Sequence, residues 1–243
     1  MHEERLYMPA GDRALVVELG DTIRPEINRS IRELMLAIES ADIFGVSELV
    51  PTYRSLLVYY EPQVTSFEEL KRSIELTELR SGSVGQAASR IVHFPTLYGG
   101  EHGPDIEFVA ENARLTIQGV IETHSGTDYL VYMMGFSPGF PYLGGLSENL
   151  ATPRLASPRV EIPAGSVGIA ESQTGVYPAA SPGGWQLIGR TPLKMFDPNG
   201  DPPALLSPGD YIRFVPLGSE AEFQDIQQRV SRGEYEITIE VAP

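Results

Sequence analysis

Apolar positions change their spacing several times along the first 80 residues. The run ALVVEL, Ala14 to Leu19, follows the turn-forming Gly11-Asp12 and suits a buried strand. Pro25 stands where the first turn of a helix accepts proline, and Ile27, Ile31, Leu34, Met35 and Ile38 then fall on one helical stripe. Gly45 breaks the stripe. Val46 to Val50 and Ser55 to Tyr60 read as two strands around Pro51-Thr52-Tyr53-Arg54. Ser66-Phe67-Glu68-Glu69 has the spacing of a capping box. The helix it opens runs to about Leu79, with Phe67, Leu70 and Ile74 inward. Ser81 to Ser89, SGSVGQAAS, is small, polar and uncharged, the composition of a linker.

The remainder is patterned differently. Arg90 to Phe94 predicts a strand ended by Pro95, Asp105 a cap for a short helix toward Asn112, and Thr116 to Thr123 a second helix closed by His124-Ser125-Gly126. Short strands are expected at Tyr129–Met133, Val167–Ala170, Gly175–Tyr177, Trp185–Gly189 and Tyr211–Val215. Proline spacing from Ala151 to Pro163 forbids regular helix there. Ser219 to Val230 places Phe223, Ile226 and Val230 on one helical face, and Tyr235 to Val241 alternates as a last strand. Three Ser-Pro-Gly tripeptides, starting at Ser137, Ser181 and Ser207, read as type II turns. The expected class is α+β: a ferredoxin-like α/β sandwich over residues 1–80, a linker over 81–89, and a closed or nearly closed β-barrel over 90–243.

Composition narrows the partners. A formal charge of −15 argues against nucleic acid and anionic membrane, which are held by clustered Lys and Arg. Without cysteine there is no disulfide, thiol nucleophile or thiolate metal site. The start, MHEERLYMPAG, lacks a signal-peptide core, and no apolar run is long enough for a bilayer, so a soluble cytoplasmic protein is expected.

Two runs concentrate the candidate chemistry: Tyr132 to Gly145 and Ile162 to Pro198. Aromatics there lie in or beside glycine-rich loops, an arrangement that builds a partly open pocket. Gly135, Phe136, Pro138, Gly139, Phe140, Tyr142, Gly184 and Trp185 are candidate binding residues. The amides of Gly135 to Gly139 and of Gly183 and Gly184 suit an anion nest; the plainer alternative is tight barrel corners that meet a partner chain. His124, at a helix C-terminus that favours imidazolium, is the candidate acid/base or anion binder, unless it merely caps carbonyls. Arg190 and Lys194 are candidates for an anionic substrate or intermediate, unless the arginine, near Asp197, only forms an internal salt bridge. Asp128 and Asp197 are possible bases. His93 and His102 have no partner at metal-ligand spacing, so no metal site is expected.

The strings GFSPGFPYLGGL, IPAGSVGIA, QTGVYPAASPGGWQLIGRTPL and PPALLSPGD, with GDRALVVELGD, VPTYRSLLVYYEP and YGGEHGPDIEFVA before them, resemble the KipI family, also described as allophanate hydrolase subunit 1, over nearly the whole chain. The B subunits of bacterial 5-oxoprolinase belong to that family. The resemblance implies a cyclophilin-like barrel after the first domain. It also implies a hydrolase component that is not autonomous. Its partners would be a KipA-type C subunit plus an A subunit, the three hydrolysing 5-oxo-L-proline to L-glutamate at the expense of ATP. No GxxxxGK[ST] motif is present, so ATP is expected on another or a shared subunit. On this view Gln173 and Gln186 are candidates for the lactam amide. The family also leaves open a non-enzymatic inhibitor of a sensor histidine kinase and a carboxyltransferase-type component of a urea carboxylase system.

Overall fold

The computed structural model describes residues 5–80 and 89–242. The expected linker therefore lies, Ser89 apart, outside the described residues. The chain divides into two compact units, Met1–Ala88 and Ser89–Pro243.

The first unit comprises β1 (Leu6–Pro9), β2 (Ala14–Glu18), α1 (Pro25–Ala41), β3 (Val46–Pro51), β4 (Ser55–Tyr60) and α2 (Phe67–Arg80). Its sheet runs β1-β2-β4-β3 and is antiparallel throughout. Alternation turns Leu15, Val17, Leu56 and Val58 to one face, where Ile27, Ile31, Leu34 and Ile38 of α1 and Leu70 and Ile74 of α2 cover them. The capping box forms: the Glu69 amide donates to Ser66 Oγ at 3.3 Å, and the Ser66 amide donates to Glu69 Oε2 at 3.0 Å. The strand β1 was not expected. It takes the sheet edge beside β2 that the last strand of a βαββαβ unit would occupy. LYMP gives no inward-outward signal because its side chains are half-buried to exposed, as suits an edge.

The second unit comprises β5 (Arg90–Tyr98), α3 (Ile106–Ala113), α4 (Ile117–Ser125), β6 (Asp128–Met134), β7 (Pro141–Gly144), a 3₁₀ turn at Glu148–Leu150, β8 (Arg159–Ile162), β9 (Ser166–Ala170), β10 (Gln173–Val176), β11 (Ser181–Gly183), β12 (Gln186–Arg190), β13 (Tyr211–Pro216), α5 (Glu220–Ser231) and β14 (Ile239–Val241). The main sheet is ordered β10-β9-β12-β5-β13-β6-β7, with β14 also on β5. Its ends, β7 and β10, curl back against each other, so the barrel is nearly closed. Phe94, Tyr129, Val131, Val167, Ile169, Ile188 and Phe214 fill it.

Two expectations change. Pro95 does not end β5, which continues to Tyr98. The His93 amide donates to Thr238 O. Pro95 faces the same side two residues on, in the gap after β14 (paired at 90–92) and before β12 (paired at 97–98), where no donor is required. Ser-Pro-Gly makes a turn twice, not three times. The Phe140 amide donates to Ser137 O and the Asp210 amide to Ser207 O, with Gly139 and Gly209 at φ +83° and +93°. Ser181-Pro182-Gly183 is instead the strand β11, paired with β8.

Candidate functional site

The β6–β7 hairpin carries the first glycine-rich run to its tip. Phe136 sits there at φ +62°, a conformation that disfavours a bulky side chain, and its ring is 75% exposed. Phe140, only 5% exposed, lies behind it. The Phe140 ring meets Phe136 at 5.6 Å, Tyr142 at 5.3 Å, and Tyr177 and Trp185 at 6.1 Å each, all edge-on. Tyr177 and Trp185 complete the cluster, again at 6.1 Å. Glycine is required beneath it: a Cβ on Gly175 would lie 3.0 Å from the Trp185 ring, and one on Gly139 would lie 2.8 Å from Phe196 Cβ.

Part of the proposed amide nest is already used. The Gly135 amide donates to Phe140 O, the Ser137 amide to Gly135 O, and Pro138 has no N–H. Within Gly135 to Gly139 the nest therefore contracts to Phe136 and Gly139. Gln186 is buried and donates to Pro153 O at 2.9 Å, which fixes it as a strut, while Gln173 is half-buried at the start of β10. Gly184 O accepts from the Leu155 amide.

His124 lies in the last turn of α4 but is fully buried. Its Nε2 is 2.9 Å from Thr174 Oγ1 and its Nδ1 is 2.7 Å from Tyr98 Oη. The single hydroxyl proton of Thr174 goes to Gly168 O, so Nε2–H donates to Thr174 and Nδ1 accepts from Tyr98. Burial pushes the imidazole down to about 3, outweighing the helix-end field. The expected imidazolium is therefore corrected to a neutral ring within the barrel core.

The two expected cations separate. Arg190 closes β12 and donates to Ala164 O at 2.8 Å, and desolvation lowers its pKa. It stands four residues along the strand from Gln186, roughly 13 Å at strand rise. Asp197 pairs with Lys194 at 2.7 Å, so the salt bridge expected of the arginine is made by the lysine. Asp128 is clamped by Arg213 at 2.6 and 2.7 Å. His102 joins Glu220 at 2.7 Å and stacks on Phe223 at the rim of a hollow of about 430 Å³ that Tyr98, Gly99 and Gly100 also line. Among the described residues, no group of three or more His, Asp or Glu side chains gathers as a metal site.

Sequence reading missed Tyr177, Arg154 and Arg159. Arg159 donates to Asp105 at 2.7 Å and to Trp185 O at 3.4 Å. Asp105 also takes the Leu187 amide, so its carboxylate ties strand to helix instead of capping α3. The two Pro-Arg dipeptides, 153–154 and 158–159, were the available signal.

A chain with this barrel belongs to the family described as carboxyltransferase domain, subdomain C and D, whose profile matches residues 6–206. Within that family it is 44% identical over 220 residues to the B subunit of 5-oxoprolinase from Bacillus subtilis (strain 168), covering 86% of this chain and 92% of that one. It is 43% identical over 217 residues to the B subunit of 5-oxoprolinase from Escherichia coli O157:H7, covering 89% and 97%. The solved urea carboxylase of Kluyveromyces lactis matches with a TM-score of 0.77 and 23% identity over 98% of this chain and 24% of that one, a likeness of fold.

Proposed function

We propose that this chain is the B subunit of an ATP-dependent 5-oxoprolinase, hydrolysing 5-oxo-L-proline to L-glutamate together with the A and C subunits. The observation that carries the reading is identity of 43–44% to two such B subunits over nine-tenths or more of their lengths. The C subunit is of KipA type, ATP is held on another or a shared subunit, and the complex works in the cytoplasm.

The strained, exposed Phe136 is the anchor that meets the C subunit, because an outlier of this kind persists only where the surroundings enforce it. Gly135, Pro138 and Gly139 shape the turn behind it, and Phe140, Tyr142, Gly184 and Trp185 wall the substrate side. Gln173 reaches the lactam amide from the start of β10, while Gln186 holds the wall in place. Lys194 lies next to Met195 and Phe196, on which Gly139 packs, and supplies a cation at the hairpin. Arg190 serves the partner side. His124 acts through packing, holding Tyr98 and Thr174.

Reconstitution with the A and C subunits, read as 5-oxoproline-dependent ADP release, tests the proposal. Turnover that requires this chain is expected; active partners that turn over equally well without it would refute the reading.

A further inference from the structure

Ahead of Gly189, one side of β12 has no strand beside it. β9 pairs with β12 from Gln186 to Arg190, but β5 reaches only Gly189 and Arg190. Buried backbone without a ladder must find other partners, and two side chains supply them. The Leu187 amide donates to Asp105 Oδ2 at 2.6 Å, while the Asp105 amide donates to Leu187 O at 2.9 Å. Arg159, from β8, donates through Nη2 to Asp105 Oδ1 at 2.7 Å and through Nη1 to Trp185 O at 3.4 Å. One ion pair thus holds the chain on both sides of Gln186.

Asp105 gives up a more usual role to do this. It stands at the N-cap of α3, yet its side chain makes no cap bond. The Asp105 side chain is 13% exposed and that of Arg159 29%, so either one left alone would be a poorly solvated charge. What the pair fixes is the base of the aromatic cluster. Trp185 meets Phe140 at 6.1 Å, and Phe140 meets Phe136 at 5.6 Å. Beneath Trp185 there is no slack, since a Cβ on Gly175 would lie 3.0 Å from its ring. A displacement of the Trp185 backbone is therefore passed on to Phe140 and Phe136.

We infer that Asp105 and Arg159 are positioning residues: their ion pair sets the pose of Trp185 and, through Phe140, of the Phe136 ring presented to the C subunit. The partner's identity rests on the oxoprolinase reading. The arginine is suited to the task because its planar fork serves a carboxylate and a carbonyl at once, whereas a lysine offers a point charge.

Trp185 is the chain's single tryptophan, so its emission reports this position alone in the full 243-residue protein. Asp105→Asn keeps an acceptor for the Leu187 amide but removes the partner charge of Arg159. Its emission should shift to longer wavelength, and affinity for the C subunit measured by calorimetry should fall about tenfold. Arg159→Gln should do the same, and Arg159→Lys should restore part of both. In the reconstituted three-subunit enzyme, the C-subunit concentration for half-maximal turnover should rise by the same factor, with kcat at saturating C subunit near wild type. Ile31→Val, in the core of the first unit, should lose stability with emission and C-subunit affinity unchanged, which separates positioning from a general loss of stability. Unshifted emission in Asp105→Asn and Arg159→Gln overturns the inference, as does shifted emission with wild-type affinity for the C subunit; turnover by the wild-type complex would then leave the oxoprolinase reading standing. Weakened variants in a wild-type complex that binds but never turns over 5-oxoproline keep the inference and remove that reading. A wild-type chain that does not bind the C subunit removes both.

Discussion

Two groups of residues in the second unit invert the usual guess about where chemistry lies. Around His124, a histidine, two hydroxyls and a helix end give a complete hydrogen-bond chain with no exposed member except through Tyr98. Around Phe140, five aromatic rings are arranged edge to edge, with one ring on a residue of disfavoured backbone conformation and turned to solvent. The first group is satisfied and neutral, so it stabilises. The second retains strain and exposed apolar surface, which the proposed contact with the C subunit draws on.

Removing the centre of the aromatic group should have the largest effect. Phe140→Ala deletes a buried ring with four ring contacts, and about 3–5 kcal/mol of unfolding free energy should be lost in denaturant titration. A loss below about 1 kcal/mol would mean the cluster is loosely packed.

His124→Leu should cost less, about 1–3 kcal/mol, mainly by leaving the Tyr98 hydroxyl buried without its acceptor. The same variant changes the acid response. Folded His124 titrates near 3 and the unfolded residue near its usual 6.5, so between these values the unfolded chain binds more protons. Stability should therefore fall as pH drops below about 6.5, with His124 contributing at most about 1.4 kcal/mol per pH unit. The slope should flatten in His124→Leu; an unchanged slope would show that carboxylates alone set the acid limit.

Phe136→Gly separates the two roles of the hairpin. Releasing the positive φ should leave stability unchanged or raise it by about 1 kcal/mol, while affinity for the C subunit falls at least about tenfold. Unchanged affinity measured by calorimetry would remove Phe136 from the interface. Lys194→Ala should be the mildest, with no measurable shift in the denaturation midpoint, because its partner Asp197 is exposed. A clear shift would assign the pair a structural role.

Local pattern carried much of this protein. The stripe from Ile27 to Ile38, the Ser66–Glu69 box, and the turns at Ser137 and Ser207 each depend on contacts within a few residues. Such contacts leave periodicity or turn chemistry in the sequence, which is why both fold classes were legible. Where neighbours distant in sequence decide, the pattern was silent or misleading. Pro95 continues a strand because two partner strands happen to leave a gap beside it. Ser181-Pro182-Gly183 is extended because β8 pairs with it.

The same division holds for the site. The glycines and aromatics of Gly135 to Tyr142 announced a loop with unusual backbone needs, and steric restriction is a property each residue carries in itself. Charge state and company are not. His124 is neutral because the barrel desolvates it, and Arg190 and Lys194 part because they occupy different places along and beyond β12. Pro153 and Leu155 are fastened to Gln186 and Gly184, on either side of Trp185, by hydrogen bonds that span about 30 residues of chain. Dielectric environment and long-range proximity arise on folding, so only the tertiary structure could decide them.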